Sequence, residues 1–282
     1  MQIIRIDEKK LKIYLPEDLS ECDSRQYIEM SHLIVLLQSK QISYEDFRVH
    51  ALYKLLNMKP VNVGLYDADK YARIYQLSEL IDSFFEPGQE RVLKQFYIKN
   101  PAPKAFVWFR THIGPTNEED FTFGEYIDTL EALLDFTDTG EIDYLIKMFA
   151  INYRRVPLFK SNKRKNVEKY NQVELNRFKN NHIGEIYGFY LYFTSVNKYI
   201  STAKIFVQGK EIDLSIIFDL KDNDKSKHPG IGMKSILYTL AESGIYGNIN
   251  DVRDVKLWEV LVRMYDVTKA SLDEKERLKN EK

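Results

Sequence analysis

The sequence has a single cysteine, Cys22, in 282 residues. No intrachain disulfide can form, so the fold must stand on packing alone. A lone thiol without a basic neighbour is expected to be structural rather than nucleophilic. The chain also lacks an excess of either charge: 41 Lys and Arg against 42 Asp and Glu leave a formal net charge of −1. Its overall field therefore does not steer it to nucleic acid or to an anionic membrane, and any electrostatic role must come from local segregation. No apolar run approaches the roughly 18 residues of a membrane span, so no membrane partner is expected. The opening Met1-Gln2-Ile3-Ile4-Arg5-Ile6-Asp7 has no apolar leader stretch, and synthesis in the cytoplasm is the expectation.

Motifs that carry chemistry are missing too. His32, His50, His112, His182 and His228 are scattered, with no pair spaced for one helix turn and no Cys/Asp/Glu pattern of a zinc site. There is no nucleophile elbow and no HExxH helix. Gly230-Ile231-Gly232-Met233-Lys234-Ser235 resembles a phosphate loop but lacks the Walker spacing, and a helix start after Pro229-Gly230 explains it more simply. No catalytic, cofactor-binding or metal residue is assigned, no cofactor is expected, and the chain reads as a binding or assembly protein rather than an enzyme.

What is present is ordinary globular material, 44% apolar and 29% charged, which argues against disorder. The 19 Tyr and 16 Phe supply either an aromatic core or amphipathic contact surfaces. Ile4 and Ile6, then Leu11, Ile13 and Leu15, alternate around Asp7–Lys10 as a β-hairpin. Asp23 with Gln26 forms a capping box for a helix that buries Tyr27, Met30, Ile34 and Leu37. Ser43 caps a second helix with Phe47, Ala51 and Leu55 inward. A third is expected over Asp67–Glu86, burying Tyr71, Ile74, Leu77, Ile81 and Phe84, until Pro87-Gly88 stops it.

Val92–Ile98 and Ala105–Phe109 read as two strands of a hairpin around Asn100-Pro101-Ala102-Pro103. Thr122 and Glu125 form another capping box, opening a helix with Ile127, Leu130 and Leu134 inward. The next begins at Glu141 and carries Ile142, Leu145, Phe149 and Tyr153. Helices near Val167–Lys179 and Ile183–Ile200 follow. A hairpin of Lys204–Val207 and Ile212–Phe218 comes next, then helices at Met233–Ser243 and Val252–Val267. The fold class is α+β, predominantly helical, with an N-terminal β-hairpin and two further short hairpins. Three segments, 1–88, 89–160 and 161–282, are candidate units that equally well form one continuous fold. Ser271–Lys282 has almost no apolar face and should fray unless it rests on a partner.

Charge is segregated in the middle of the chain. Glu118, Glu119, Asp120, Glu125, Asp128, Glu131, Asp135, Asp138, Glu141 and Asp143 follow one another with no Lys or Arg among them. Arg154, Arg155, Lys160, Lys163, Arg164 and Lys165 then come with no acid. Such runs are often merely solvated faces. They also suit a head-to-tail interface between copies, acidic patch against basic loop, which would close a ring. Phosphate contact by the loop is the weaker option, because only Phe159 is near enough to stack on a base. The candidate interface is Glu118, Glu119, Asp120, Asp128, Glu131, Asp135, Arg154, Arg155, Lys163, Arg164 and Lys165.

Several stretches together resemble tailed-phage virion and tail-assembly proteins of the crAss-like, Bacteroidetes-infecting type. Ile13–Met58 is similar to their strand, Leu-Pro turn and helix; Phe121–Val156 contains the Thr-Phe-Gly-Glu helix start; Gly184–Phe193, Ser235–Gly247 and Val255–Val267 resemble the closing part. Where the resemblance has Arg-Pro after the fifth helix, this chain reads Arg154-Arg155-Val156-Pro157. The resemblance implies no catalytic residue. It implies a non-enzymatic structural component of the virion, made in the host cytoplasm. That component would form a multi-copy ring at the neck or tail, dodecameric if at the neck, and would touch other virion proteins. The alternative it leaves is a tail-assembly chaperone absent from the mature particle.

Overall fold

The computed structural model describes residues 2–6, 11–58, 68–88, 91–107, 110–155, 172–207, 209–218 and 233–280. The chain begins with an antiparallel hairpin, β1 (Gln2–Ile6) and β2 (Leu11–Leu15), in register Ile4 to Ile13. Helix α1 (Ser24–Gln38) starts at Asp23, whose carboxylate accepts from the Gln26 backbone while the Gln26 side chain accepts from the Asp23 N–H. Helix α2 (Tyr44–Leu55) is capped by Ser43. As expected, Tyr27, Met30 and Ile34 of α1 and Phe47, Ala51 and Leu55 of α2 are buried.

The third helix departs from its pattern. Regular α-helix α3 (Ala68–Ser78) gives way to a 3-10 segment, Glu79–Phe84, and Tyr71 is exposed rather than buried. The Ser78 hydroxyl donates to the Tyr75 carbonyl at 2.6 Å, and the tighter winding turns Ile81 and Phe84 inward out of the 3.6-residue phase.

The hairpin expected across the two prolines lies elsewhere. β3 (Lys104–Val107) pairs with β4 (Arg110–Ile113), and a short β5 (Arg154–Arg155) joins β4 as the third strand. Residues 92–98 form no strand: the Val92 carbonyl and Lys94 N–H pair with the backbone of Glu86 and Phe84 in an isolated bridge, and Tyr97 takes a helix side chain as its partner. Ser195 Oγ accepts from the Tyr97 N–H at 2.6 Å and donates to its carbonyl at 2.7 Å, doing for one residue what a neighbouring strand does.

Two helices then pack as a pair, α4 (Phe123–Thr139) and α5 (Ile142–Asn152). Thr122 and Glu125 make the expected capping box, and α4 ends on Gly140 in the left-handed conformation (φ 72°), where a Cβ would be strained. Leu134 and Ile142 were expected inside but are 56% and 50% exposed.

Helix α6 is short, Gln172–Phe178, and the part of its expected range before Gln172 lies outside the described residues. Helix α7 (Ile183–Thr202) runs through the centre, and β6 (Lys204–Val207) and β7 (Lys210–Asp213) form the third hairpin. The second strand stops at Asp213 because its carboxylate accepts from the Ser215 N–H at 3.0 Å, opening a single turn, α8 (Ser215–Phe218), where strand was expected. Helices α9 (Met233–Glu242), α10 (Ile249–Asp254) and α11 (Leu257–Asn280) complete the chain. The expected Val252–Val267 helix is thus two: the backbone turns extended at Val255, and Phe123 N–H and Phe121 O pair with Val255 O and Leu257 N–H.

The architecture is α+β and mainly helical, with small antiparallel hairpins around a helical centre. One buried cluster draws residues from all three sequence segments, from Leu15 through Phe121 and Tyr192 to Met264. The aromatics sit mostly in it: Tyr27, Tyr126, Tyr192, Phe149, Phe189 and Phe193 are fully buried. The Tyr27 hydroxyl donates to the Gly188 carbonyl and, by elimination, accepts from Tyr97, both at 2.7 Å. At Gly184 helices α1 and α7 approach so closely that a Cβ would collide with the Ile28 carbonyl.

Candidate functional site

The acidic helix owes its place to α4 lying between α5, α9 and α10, and each of these neighbours presents a cation to it. Arg154 on β5 pairs with Glu125; Arg253 on α10 pairs with Asp128; Lys234 on α9 pairs with Glu131. Lys147 stands 4.0 Å from Asp135, and Lys179 lies 3.1 Å from Asp143. The negative face is therefore largely answered within one chain. Sequence reading missed this because each cation is remote from its acid in the chain.

Members of the candidate interface consequently separate. Glu118 is buried, with Oε2 lacking a hydrogen-bond partner, and burial raises its carboxyl above the usual range. Asp120 caps the turn before it, accepting from the Thr116 N–H at 2.7 Å and from its hydroxyl at 2.6 Å. Arg154 is turned inward onto Glu125, with 12% of its side chain exposed, so it is not part of a solvent-facing basic loop. Glu118 and Arg154 are thus corrected from interface to interior. Glu119 and Arg155 are exposed, as are Asp138 and Glu141. Lys163, Arg164 and Lys165 lie outside the described residues, as do Lys160, Phe159 and the Gly230–Gly232 turn.

Exposed apolar groups are spread over the chain, two of the most exposed on short hairpins. Phe206 on β6 is 74% exposed and Phe106 on β3 is 65% exposed, each at the outer face of its hairpin. Helix α11 buries Leu257, Val260, Leu261 and Met264, then continues with every residue from Lys269 to Asn280 exposed, Leu272 and Leu278 included. At 1.5 Å per residue this arm extends roughly 18 Å beyond the body.

A cleft of about 570 Å³ opens beside α2, where Tyr44, Arg48, Asp82 and Arg91 meet. The Tyr44 hydroxyl donates to Asp82 Oδ1 at 2.6 Å and Arg48 Nη1 lies 3.3 Å from Oδ2. Burial, then the bond to Asp82, pushes the Tyr44 phenol well above its ordinary pKa, so it stays a donor. The Arg91 guanidinium lies 3.6 Å from the centre of the Tyr44 ring.

The fold also joins two histidines that are far apart in sequence. His32 on α1 meets His182, the N-terminal cap of α7, with ring centres 4.9 Å apart, and His182 Nδ1 accepts from the Gly184 N–H at 3.2 Å. Burial, then the neighbouring ring, lowers the pKa of His32. Among the described residues no group of three or more His, Cys, Asp or Glu is placed to hold a metal ion. Cys22 is buried, and burial followed by the charges of Asp18, Asp23 and Glu21 raises its thiol, in keeping with a structural role. Among the described residues no helix is long and apolar enough to cross a membrane.

No family model matches the chain, and neither a curated protein nor a solved structure matches it.

Proposed function

We propose that the protein is a non-enzymatic structural component of a tailed-phage virion, working in many copies as a ring at the neck or tail. The observation that carries this reading is the exposed end of α11, Lys269–Asn280. An isolated helix of about a dozen residues is marginal in water, and this one lacks an apolar stripe to dock on its own body. A neighbouring subunit laid against the arm, with exposed Phe106 or Phe206 in the same contact, would supply the missing packing. The resemblance along the chain supports the virion setting. The paired acids of α4 shift the subunit contact from the charge zipper suggested by sequence to the arm and hairpins.

Mass photometry of the purified protein, paired with mass spectrometry of intact particles, tests this. A large symmetric oligomer, with multiple copies in the particle, is expected. A monomer or dimer missing from particles would sink the proposal and point to an assembly chaperone. Reversing Lys163, Arg164 and Lys165 to Glu is expected to weaken assembly less than removing the arm does, and the reverse ranking would restore the charge zipper.

A further inference from the structure

The cleft beside α2 carries hydrogen-bond donors that the chain itself does not use. Asp82 is engaged by Tyr44 and Arg48, yet Arg48 Nε is buried without a partner, and so is the hydroxyl of Ser83. Burying a donor unpaired sacrifices its hydration with no return, so two such groups on residues that line one cleft would gain by turning toward an acceptor that enters it. At the mouth, Arg91 rests on the Tyr44 ring and Lys94 lies alongside, and among the described residues neither is within ion-pair distance of a carboxylate. Stacking on Tyr44 limits the orientations of Arg91 while leaving its N–H edge available, which suits planar recognition of an oxyanion. Glu45 and Glu86 also line the cleft, both exposed and, among the described residues, in no ion pair.

We propose that this cleft binds an oxyanion, a carboxylate or phosphate group, with Arg48 Nε and Ser83 Oγ as the inner donors and Arg91 and Lys94 as the outer ones. Glu45 and Glu86 make the mouth close to neutral, so they weaken binding and favour a group of low charge over a polyanion. A second hollow shares Glu86 and Lys94 and runs on past Gln95 to Tyr97, leaving room for whatever bears the anionic group to continue along the extended 92–97 segment.

Isothermal titration calorimetry of the full chain tests this, with sodium phosphate and sodium acetate as probes at constant ionic strength held by chloride. Saturable binding of at least one probe is expected, about tenfold weaker in Arg91→Ala, where a charge-assisted pair is lost. Ser83→Ala should weaken it about threefold, in line with one neutral hydrogen bond. Glu86→Gln should tighten it, an effect that damaged folding would not produce. Binding of phosphate alone would assign a phosphate ligand, and binding of both would assign the acidic group of a partner chain. No saturable heat with either probe, or equal affinity in wild type and Arg91→Ala, would overturn the proposal. Superimposable circular dichroism spectra of the variants keep the comparison free of misfolding.

Discussion

Helices α7 and α11 have similar lengths, 20 and 24 residues, but opposite surroundings. Helix α7 buries residues on nearly every side, from Ile186 and Tyr187 to Phe193 and Val196, and its Ser195 replaces a strand partner for Tyr97. Helix α11 buries one stripe, Leu257 to Met264, and then leaves the body. A helix apolar all round must be a core element, whereas a polar helix persists only on local pairing or on a partner. The one is held by packing along its whole length, and the other is held by packing only over its first turns.

The largest effect should come from the core side of this comparison. Phe193→Ala removes a fully buried ring packed on Phe121, Tyr126 and Phe189 and should cost about 4 kcal/mol in urea unfolding. A cost under about 1 kcal/mol would mean that the site collapses freely and that α7 is not the centre. Gly184→Ala should cost about 3 kcal/mol, because its methyl group meets the Ile28 backbone rather than a yielding side chain. Removing the cation of the inward ion pair, Arg154→Leu, should cost about 3 kcal/mol by leaving the Glu125 carboxylate buried beside an apolar group.

Glu118→Gln should act in the opposite direction. Its carboxyl pKa is raised in the fold, so the folded chain binds the proton more tightly than the unfolded one. Stability from this group is then lost as pH rises through and above the usual carboxyl range, and the amide escapes that loss. The variant should be more stable than wild type at neutral pH, with the difference shrinking in acid. Equal stability at both pH values would place the Glu118 carboxylate in water. The smallest effect on the monomer belongs to the arm: ending the chain after Thr268 should change unfolding by less than about 0.5 kcal/mol, since the described residues lost are all exposed, while abolishing the assembly proposed above. A large loss of monomer stability would mean that the arm is part of the body.

Local signals in the sequence located most helices. The capping boxes at Asp23 and Thr122 and the Ser43 cap are written in four residues each and reappear as hydrogen bonds. Failures lie where a neighbour overrides the period. Tyr71 faces solvent while its helix tightens further on, and in the 92–98 segment, rich in strand formers, Tyr97 bonds to Ser195 about a hundred positions away. The candidate interface was the least legible part. The acids of α4 were plain in the sequence, but Lys234 and Arg253 lie more than a hundred residues from Glu131 and Asp128, and no local pattern announces such pairs. The cleft was hidden because it joins α2, which carries Arg48, to the Ser83–Arg91 stretch, and no local pattern announces that contact.

Composition and short-range pattern alone determined that this chain has no disulfide, that it is mainly helical with a few hairpins, and where its principal helices start. Those properties depend on residues within one or two turns of each other, so they are written locally. Tertiary structure decided which aromatics meet in the core, that most acids of α4 pair with cations of the same chain, and that the last half of α11 is exposed. Each of these is a relation between surfaces distant in sequence, and burial, ion pairing and exposure acquire values only when the chain has folded.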